Sequence, residues 1–173
     1  MRDLFNKPTW MAAQAKAIVI YERPFWRDQG RYGFRDQLGR PALQEIHDAS
    51  PKSGAGAIIV FFGMDAKTRA KLGADRIQAL VVEQLIRLFG PLAANRVGML
   101  YKDWSMDSNT AIAEDADPIR HYPNYGPPVA DYRSWNDKIY FSGTETARVQ
   151  GGHLEGALPS ADRIVSKIMG DLQ

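Results

Sequence analysis

Apolar residues recur along this chain in two rhythms. Unbroken short runs, Ala17-Ile18-Val19-Ile20-Tyr21 and Ala57-Ile58-Ile59-Val60-Phe61-Phe62, are rich in β-branched side chains and read as strands buried on both faces. Pro24 bounds the first and Gly63 stops the second. Leu43-Gln44-Glu45-Ile46-His47-Asp48 alternates enough for a half-exposed strand, and Val97 to Tyr101 makes another. Ile139, Tyr140 and Phe141 read as a short buried strand ended by Gly143. Residues 28–41, with Gly30, Gly33, Gly39 and Pro41, read as turns around a weak strand.

The second rhythm is helical. Ile77, Val81, Leu85 and Leu88 make one stripe, with Arg76, Glu83 and Arg87 off it, and Gly90-Pro91 stops the helix. A shorter helix precedes it, capped by Asp65 and closed by Gly73. Near the end, Leu154, Ala157, Leu158, Ala161, Val165, Ile168 and Leu172 line one face, with Pro159 inside. The pattern predicts strands near 15–22, 42–48, 57–62, 97–102 and 138–142, and helices near 65–72, 75–89 and 152–169. That is an α/β (α+β) class with a mixed sheet.

Between Ser105 and Asn136 both rhythms vanish. Pro118, Pro123, Pro127 and Pro128 interrupt the stretch, and Tyr122, Tyr125, Tyr132 and Trp135 argue against disorder. Composition narrows the picture further. The chain has 173 residues, 45% of them hydrophobic, enough for a core in one domain or in pieces of two. A net charge of +2 from scattered Lys and Arg gives no case for nucleic acid. There is no cysteine for a disulfide or a thiolate metal site. No apolar run approaches the roughly 18 residues of a membrane span. A soluble, cytoplasmic protein is the expectation.

Candidate chemistry is sparse. His47 and Asp48 are adjacent, but neighbours in a strand point to opposite faces, so they cannot serve one substrate together. Phe25 and Trp26 read as core anchors. The strongest feature is Tyr140-Phe141-Ser142-Gly143-Thr144-Glu145-Thr146-Ala147 followed by Gly151-Gly152-His153-Leu154-Glu155-Gly156-Ala157. A strand, a Gly-containing turn and a helix N-terminus gather backbone N–H groups that can hold an electron-rich ligand edge. The same glycines also suit a plain structural corner.

The string F-S-G-T-E-T-A, then G-G-H-L-E-G-A-L, resembles the C-terminal signature of the flavin-containing amine oxidases. The resemblance continues more loosely through Pro8-Thr9-Trp10-Met11, Lys16, Pro24-Phe25-Trp26-Arg27 and Asp103-Trp104, and so covers nearly the whole chain. It implies the C-terminal half of an FAD-dependent oxidoreductase acting on the CH–NH group of an amine. Residues 1–136 correspond to part of its substrate-binding domain. Residues 137–173 correspond to the C-terminal strand and helix of its FAD-binding domain. By the same resemblance Gly143, Thr144, Glu145, Gly152, His153, Leu154 and Trp104 lie at the cofactor, with the Leu154 N–H facing the flavin pyrimidine carbonyl and Gly143 and Gly152 allowing its close approach. His153, Tyr122 and Tyr125 lie at the substrate cavity.

The departures from that family matter equally. No G-x-G-x-x-G follows a strand, so the usual holder of the adenosine diphosphate is missing. The family's lysine near the flavin belongs upstream of the segment matched by Pro8-Thr9-Trp10, and Lys16 does not replace it by position, so no catalytic residue is assigned. Without cysteine any FAD is noncovalent. His153 stands where the family usually has a tyrosine, one wall of an aromatic cage. Imidazole is a poorer π-surface and can carry charge near neutral pH, so a cationic amine should fit less well. The expected partners are an amine in the intact enzyme and the missing N-terminal FAD-binding half, with a homo-oligomer as a further one to test. The chain alone is expected to bind FAD weakly and to be inactive. The alternatives are one subunit of a split oxidase, or a non-enzymatic module that keeps the fold and binds a partner.

Overall fold

The computed structural model describes residues 7–9, 11–30, 33–35, 42–117, 119, 121–126 and 138–171. Trp10, Pro127, Pro128, Tyr132, Trp135 and Leu172, all named above, lie outside these residues. The chain divides into two compact units, Ala12–Pro118 and the pairing of Met1–Met11 with Ile119–Gln173.

The first of these is a helix-on-sheet layer. Strands β1 (Ala15–Tyr21), β2 (Gly33–Arg35), β3 (Leu43–Asp48), β4 (Gly56–Phe62) and β5 (Gly98–Asp103) form one sheet in the order β2-β3-β4-β1-β5. The helix-plus-sheet class is as expected. Each described ladder is antiparallel, however, where a mixed sheet was expected. Helix α1 (Ala66–Phe89) runs across a break at Gly73, whose φ of 77° and ψ of 162° are not helical. The two expected helices are therefore both present, meeting end to end at Gly73. Asp65 caps it, its carboxylate accepting the Thr68 N–H at 2.8 Å.

The core is one face of the sheet against the inner stripe of α1. Ala15, Ala17, Val19, Tyr21, Ile58, Val60 and Phe62 are buried together with Ile77, Val81, Leu85 and Phe89. Phe25 and Trp26 join them, with edge-to-face contacts to Tyr21 at 5.4 and 5.5 Å. Gln84 is a buried polar member that the apolar stripe did not announce. Its amide donates to Leu43 O and accepts from Leu43 N, both at 3.0 Å, and pins the start of β3 to α1.

Two expectations fail here. β1 and β4 alternate instead of being buried on both faces: Ile18, Ile20, Ile59 and Phe61 are only half-buried. An unbroken apolar run records a demand for cover on both faces, and the helix layer meets it on one. The run 138–142 also forms no strand, only an isolated bridge at Ile139. An extended apolar segment becomes a strand only where a neighbour completes its ladder. Among the described residues no helix is long and apolar enough to cross a membrane, and no group of three His, Asp or Glu is placed to hold a metal.

His47 and Asp48 behave as separate surface and anchoring groups. His47 lies 3.4 Å from Glu45, while Asp48 takes the Arg27 guanidinium at 2.6 and 3.1 Å. Burial alone would raise the Asp48 carboxyl, but Arg27 and Ser50 hold it well below the usual carboxylate range. A depressed carboxylate lends stability that is present above the unfolded value of about 3.9 and lost as pH falls through the lower folded one. Asp48→Asn is expected to cost about 1–3 kcal/mol near neutrality. It should also flatten the acid side of a Tm-versus-pH curve, and an unchanged acid side would refute this.

Candidate functional site

The motif stretch lies in the unit that pairs the N-terminus with residues 119–173. Gly143 has φ of 141°, a conformation that favours glycine, and turns the chain into a single 3-10 turn, Thr144–Thr146. Helix α2 (Leu154–Asp171) follows. Its buried side is Gly156, Ser160 and Ile164. Ser160 Oγ accepts the Gly143 N–H at 3.2 Å and lies 2.7 Å from Thr146 Oγ1. Arg163 donates to Phe141 O at 3.3 Å. These two helix residues clamp the Gly-Thr-Glu-Thr turn. Sequence reasoning missed them, although a Ser and an Arg three apart on a helix of otherwise apolar pattern were a usable signal.

Two further ties close the corner. Thr144 Oγ1 donates to His153 O at 2.8 Å, joining the turn to the head of α2. Glu145 contributes its backbone: its carbonyl accepts the Gly126 N–H and the Lys7 ammonium, each at 3.3 Å. Lys7 also donates to Gly126 O, and Tyr125 donates its hydroxyl to Pro8 O at 2.8 Å. The Tyr122–Tyr125 segment is thereby held beside the motif.

Tyr122 and Tyr125 lie directly on the Gly151-Gly152 backbone. A Cβ at Gly151 would overlap Tyr125 Cβ, and one at Gly152 would sit 2.8 Å from the Tyr122 hydroxyl and 2.9 Å from Tyr125 Cε2. The space in front of Gly152 is thus taken by these two rings. Tyr122 donates to Gly151 O, its ring meets Tyr125 edge-on at 6.2 Å, and it stacks on His153 at 5.7 Å and 21°. The three residues expected at a substrate cavity are together, as are Gly143, Thr144, Glu145, Gly152, His153 and Leu154. Trp104 belongs to the other unit. It follows β5, 41% exposed, with the Lys102 ammonium 4.9 Å from its ring centroid.

The arrangement offers two kinds of contact. Paired π-faces attract a cation. A group sandwiched between two rings needs about 7 Å, two van der Waals contacts of about 3.5 Å, so one of the rings at 5.7 Å must swing outward to admit it. Leu154, 87% exposed, opens α2. The first N–H groups of a helix lack intrahelical acceptors and carry about half a positive charge. An electron-rich heterocycle edge fits that exposed turn.

The sequence matches the family model described as flavin containing amine oxidoreductase over residues 5–169. The chain belongs to this flavin-containing amine oxidase family. It is 29% identical over 179 residues to human amine oxidase [flavin-containing] B, covering 98% of this chain and 33% of that protein. A Dictyostelium discoideum protein named "Probable flavin-containing monoamine oxidase A" is 28% identical over 178 residues, covering 99% of this chain and 37% of its own length. The chain thus spans about a third of these relatives. Solved structures share the fold. A wild-type putrescine oxidase bound to putrescine superposes with a TM-score of 0.71 at 24% identity, covering 91% of this chain and 35% of that one. Cyclohexylamine oxidase from Brevibacterium oxydans gives 0.71 at 20% identity, covering 92% and 35%.

Proposed function

We propose that the chain supplies the substrate side and the flavin-contacting turn of an FAD-dependent amine oxidase, and that it works only with a polypeptide carrying the dinucleotide-binding half. The observation that carries this reading is the Tyr122–His153 ring pair at the head of α2, within a chain that matches the family over residues 5–169. In this reading residues 1–136 are substrate-binding and 137–173 belong to the flavin side. A bound flavin would accept hydride from the carbon next to the amine nitrogen.

The chain's own residues do the rest. The first turn of α2, at Leu154, offers N–H groups to a flavin carbonyl. Gly143, Thr144 and Glu145 shape the turn beside it, and Gly152, lacking a side chain, lets Tyr122 and Tyr125 pack against the backbone leading into α2. Trp104, on the sheet unit, is assigned to the cofactor by the family resemblance alone. Tyr122 and His153 hold the amine by their faces, and Tyr125 braces Tyr122. Tyr122 must turn away from His153 to let the amine in.

The direct test is co-purification with the N-terminal half of a family member, followed by the visible spectrum and amine-dependent reduction of a dye acceptor. A complex that forms, takes up FAD and reduces no acceptor with any of a panel of amines would favour the non-enzymatic module instead. Within an active complex, His153→Tyr should tighten the binding of cationic amines. A cation over a better π-face is worth about 0.5–2 kcal/mol, or roughly 2–30-fold in KM. Unchanged or weaker binding would remove the cage role given to His153.

A further inference from the structure

The core of the sheet unit contains one charged pair that the oxidase reading leaves unused. Arg69 lies on α1 and its side chain is 1% exposed; that of Asp103, at the end of β5, is 8% exposed. The guanidinium meets the carboxylate as a two-pronged fork, Nε to Oδ2 at 2.7 Å and Nη2 to Oδ1 at 2.9 Å. It also donates to Ala13 O at 2.6 Å, to Met64 O and, at 3.4 Å, to Ser105 Oγ. Asp103 in turn accepts the Ser105 N–H at 3.1 Å, the Ser105 hydroxyl at 2.6 Å and the Tyr101 hydroxyl at 3.3 Å. One buried cation thus gathers the entry to β1, the corner between β4 and α1, and the end of β5.

A pair so buried returns little net stability, because dehydrating two charges offsets most of their attraction. Apolar side chains of equal volume would hold α1 to the sheet as well. What they could not do is fix a direction. A bidentate guanidinium–carboxylate contact sets both distance and angle. Asp103 is also the residue before Trp104 and caps the short 3-10 turn Trp104–Met106. The Trp104 N–H donates to Gln14 O at 3.0 Å, so the backbone on both sides of the indole is held.

We propose that Arg69 and Asp103 are positioning residues, whose buried fork fixes the corner that carries Trp104 and so holds its exposed indole in one orientation. The purpose, a flavin contact, rests on the assignment of Trp104 under the proposed function; the orientation itself does not. Burial alone would raise the Asp103 carboxyl, but Arg69 and Ser105 hold it below the usual range, so it remains the anionic partner near neutral pH.

The test uses the full chain with 5-fluorotryptophan incorporated. The Trp104 fluorine resonance is assigned as the one lost in Trp104→Phe. Asp103→Asn keeps the volume and removes the charge; Arg69→Lys keeps the charge and removes the fork. Spectra are recorded well below each variant's Tm, with far-UV circular dichroism confirming the fold, so that a loss of stability alone does not move the readout. The expected result is a single narrow Trp104 resonance in the unaltered chain, and a shifted or at least twofold broader one in both folded variants. A resonance unchanged in position and width in either folded variant overturns the proposal. If one variant does not fold, the other decides. If neither folds, the pair determines the fold and the proposal is again overturned. A separate arm tests the purpose: in the co-purified complex, Trp104→Ala should alter the flavin absorption envelope. An unaltered envelope would sink the role of Trp104 and the purpose given to the pair, whatever the fluorine spectra show.

Discussion

Purified alone, mixed with FAD and freed of excess cofactor, the chain is expected to show no stoichiometric flavin band near about 450 nm, a property of the cofactor itself. FAD is long, and the described residues offer an exposed helix turn suited to its flavin end only. The G-x-G-x-x-G that would cradle the pyrophosphate is missing from the sequence. Each charge-assisted hydrogen bond lost there is worth about 1.5–3 kcal/mol, and every 1.4 kcal/mol or so is tenfold in affinity. Three such losses weaken binding by at least about a thousandfold. The same preparation should associate with itself as concentration rises. Leu154, Leu158, Val165 and Met169 on α2 are 87, 63, 59 and 57% exposed, an apolar stripe left in water. Light scattering across a concentration series reads that effect. Stoichiometric yellow protein that oxidises an amine unaided would overturn the dependence on a partner half.

Gly156→Ala should be severely damaging, its Cβ making the shortest contact among the described glycines. A Cβ there would overlap Gln150 O and lie 2.7 Å from Gln150 C, both backbone atoms, with Ala147 Cβ 3.1 Å away on another side. Gln150 already holds a positive φ of 56°, so its backbone has little room to retreat. Overpacking of side chains costs about 1–3 kcal/mol, occasionally more; here backbone must move, so the upper end or beyond is expected. Helix α2 should peel from the Gly143–Thr146 turn and become the first site of proteolytic cleavage. The control is Gly170→Ala on the same helix, where a Cβ meets nothing within 4 Å. Equal protease resistance in the two variants would refute this account of the Gly-Gly-His-Leu-Glu-Gly string.

Much of the local structure was legible. Apolar runs, alternation and period-3.6 patterns marked the strands of the sheet, both halves of α1 and the span of α2; the α2 stripe itself stays exposed, and Gly156, Ser160 and Ile164 form its buried side. Gly73 announced a helix break, since a residue with positive φ ends a regular turn cheaply only when it is glycine. The motif string identified the family, and the resemblance grouped Tyr122, Tyr125 and His153, which are neighbours in the structure.

What the sequence left open required partners distant in the chain. Whether Ile139 to Phe141 becomes a strand depends on a ladder partner that those three residues do not contain. Whether the second face of β1 and β4 is covered depends on what else is present, since an apolar run states the need for cover but not its source. Ser160 and Arg163 could be marked on α2, but their Gly143-turn partners could not; the Gln84 amide on Leu43 and the Arg69–Asp103 fork were equally unannounced. Each joins polar groups 17 to 41 positions apart, and no periodicity encodes such a pairing. Hydrophobic pattern is a property of neighbours along the chain and can be read there. Directional bonds between distant residues exist only once the backbone has brought them together.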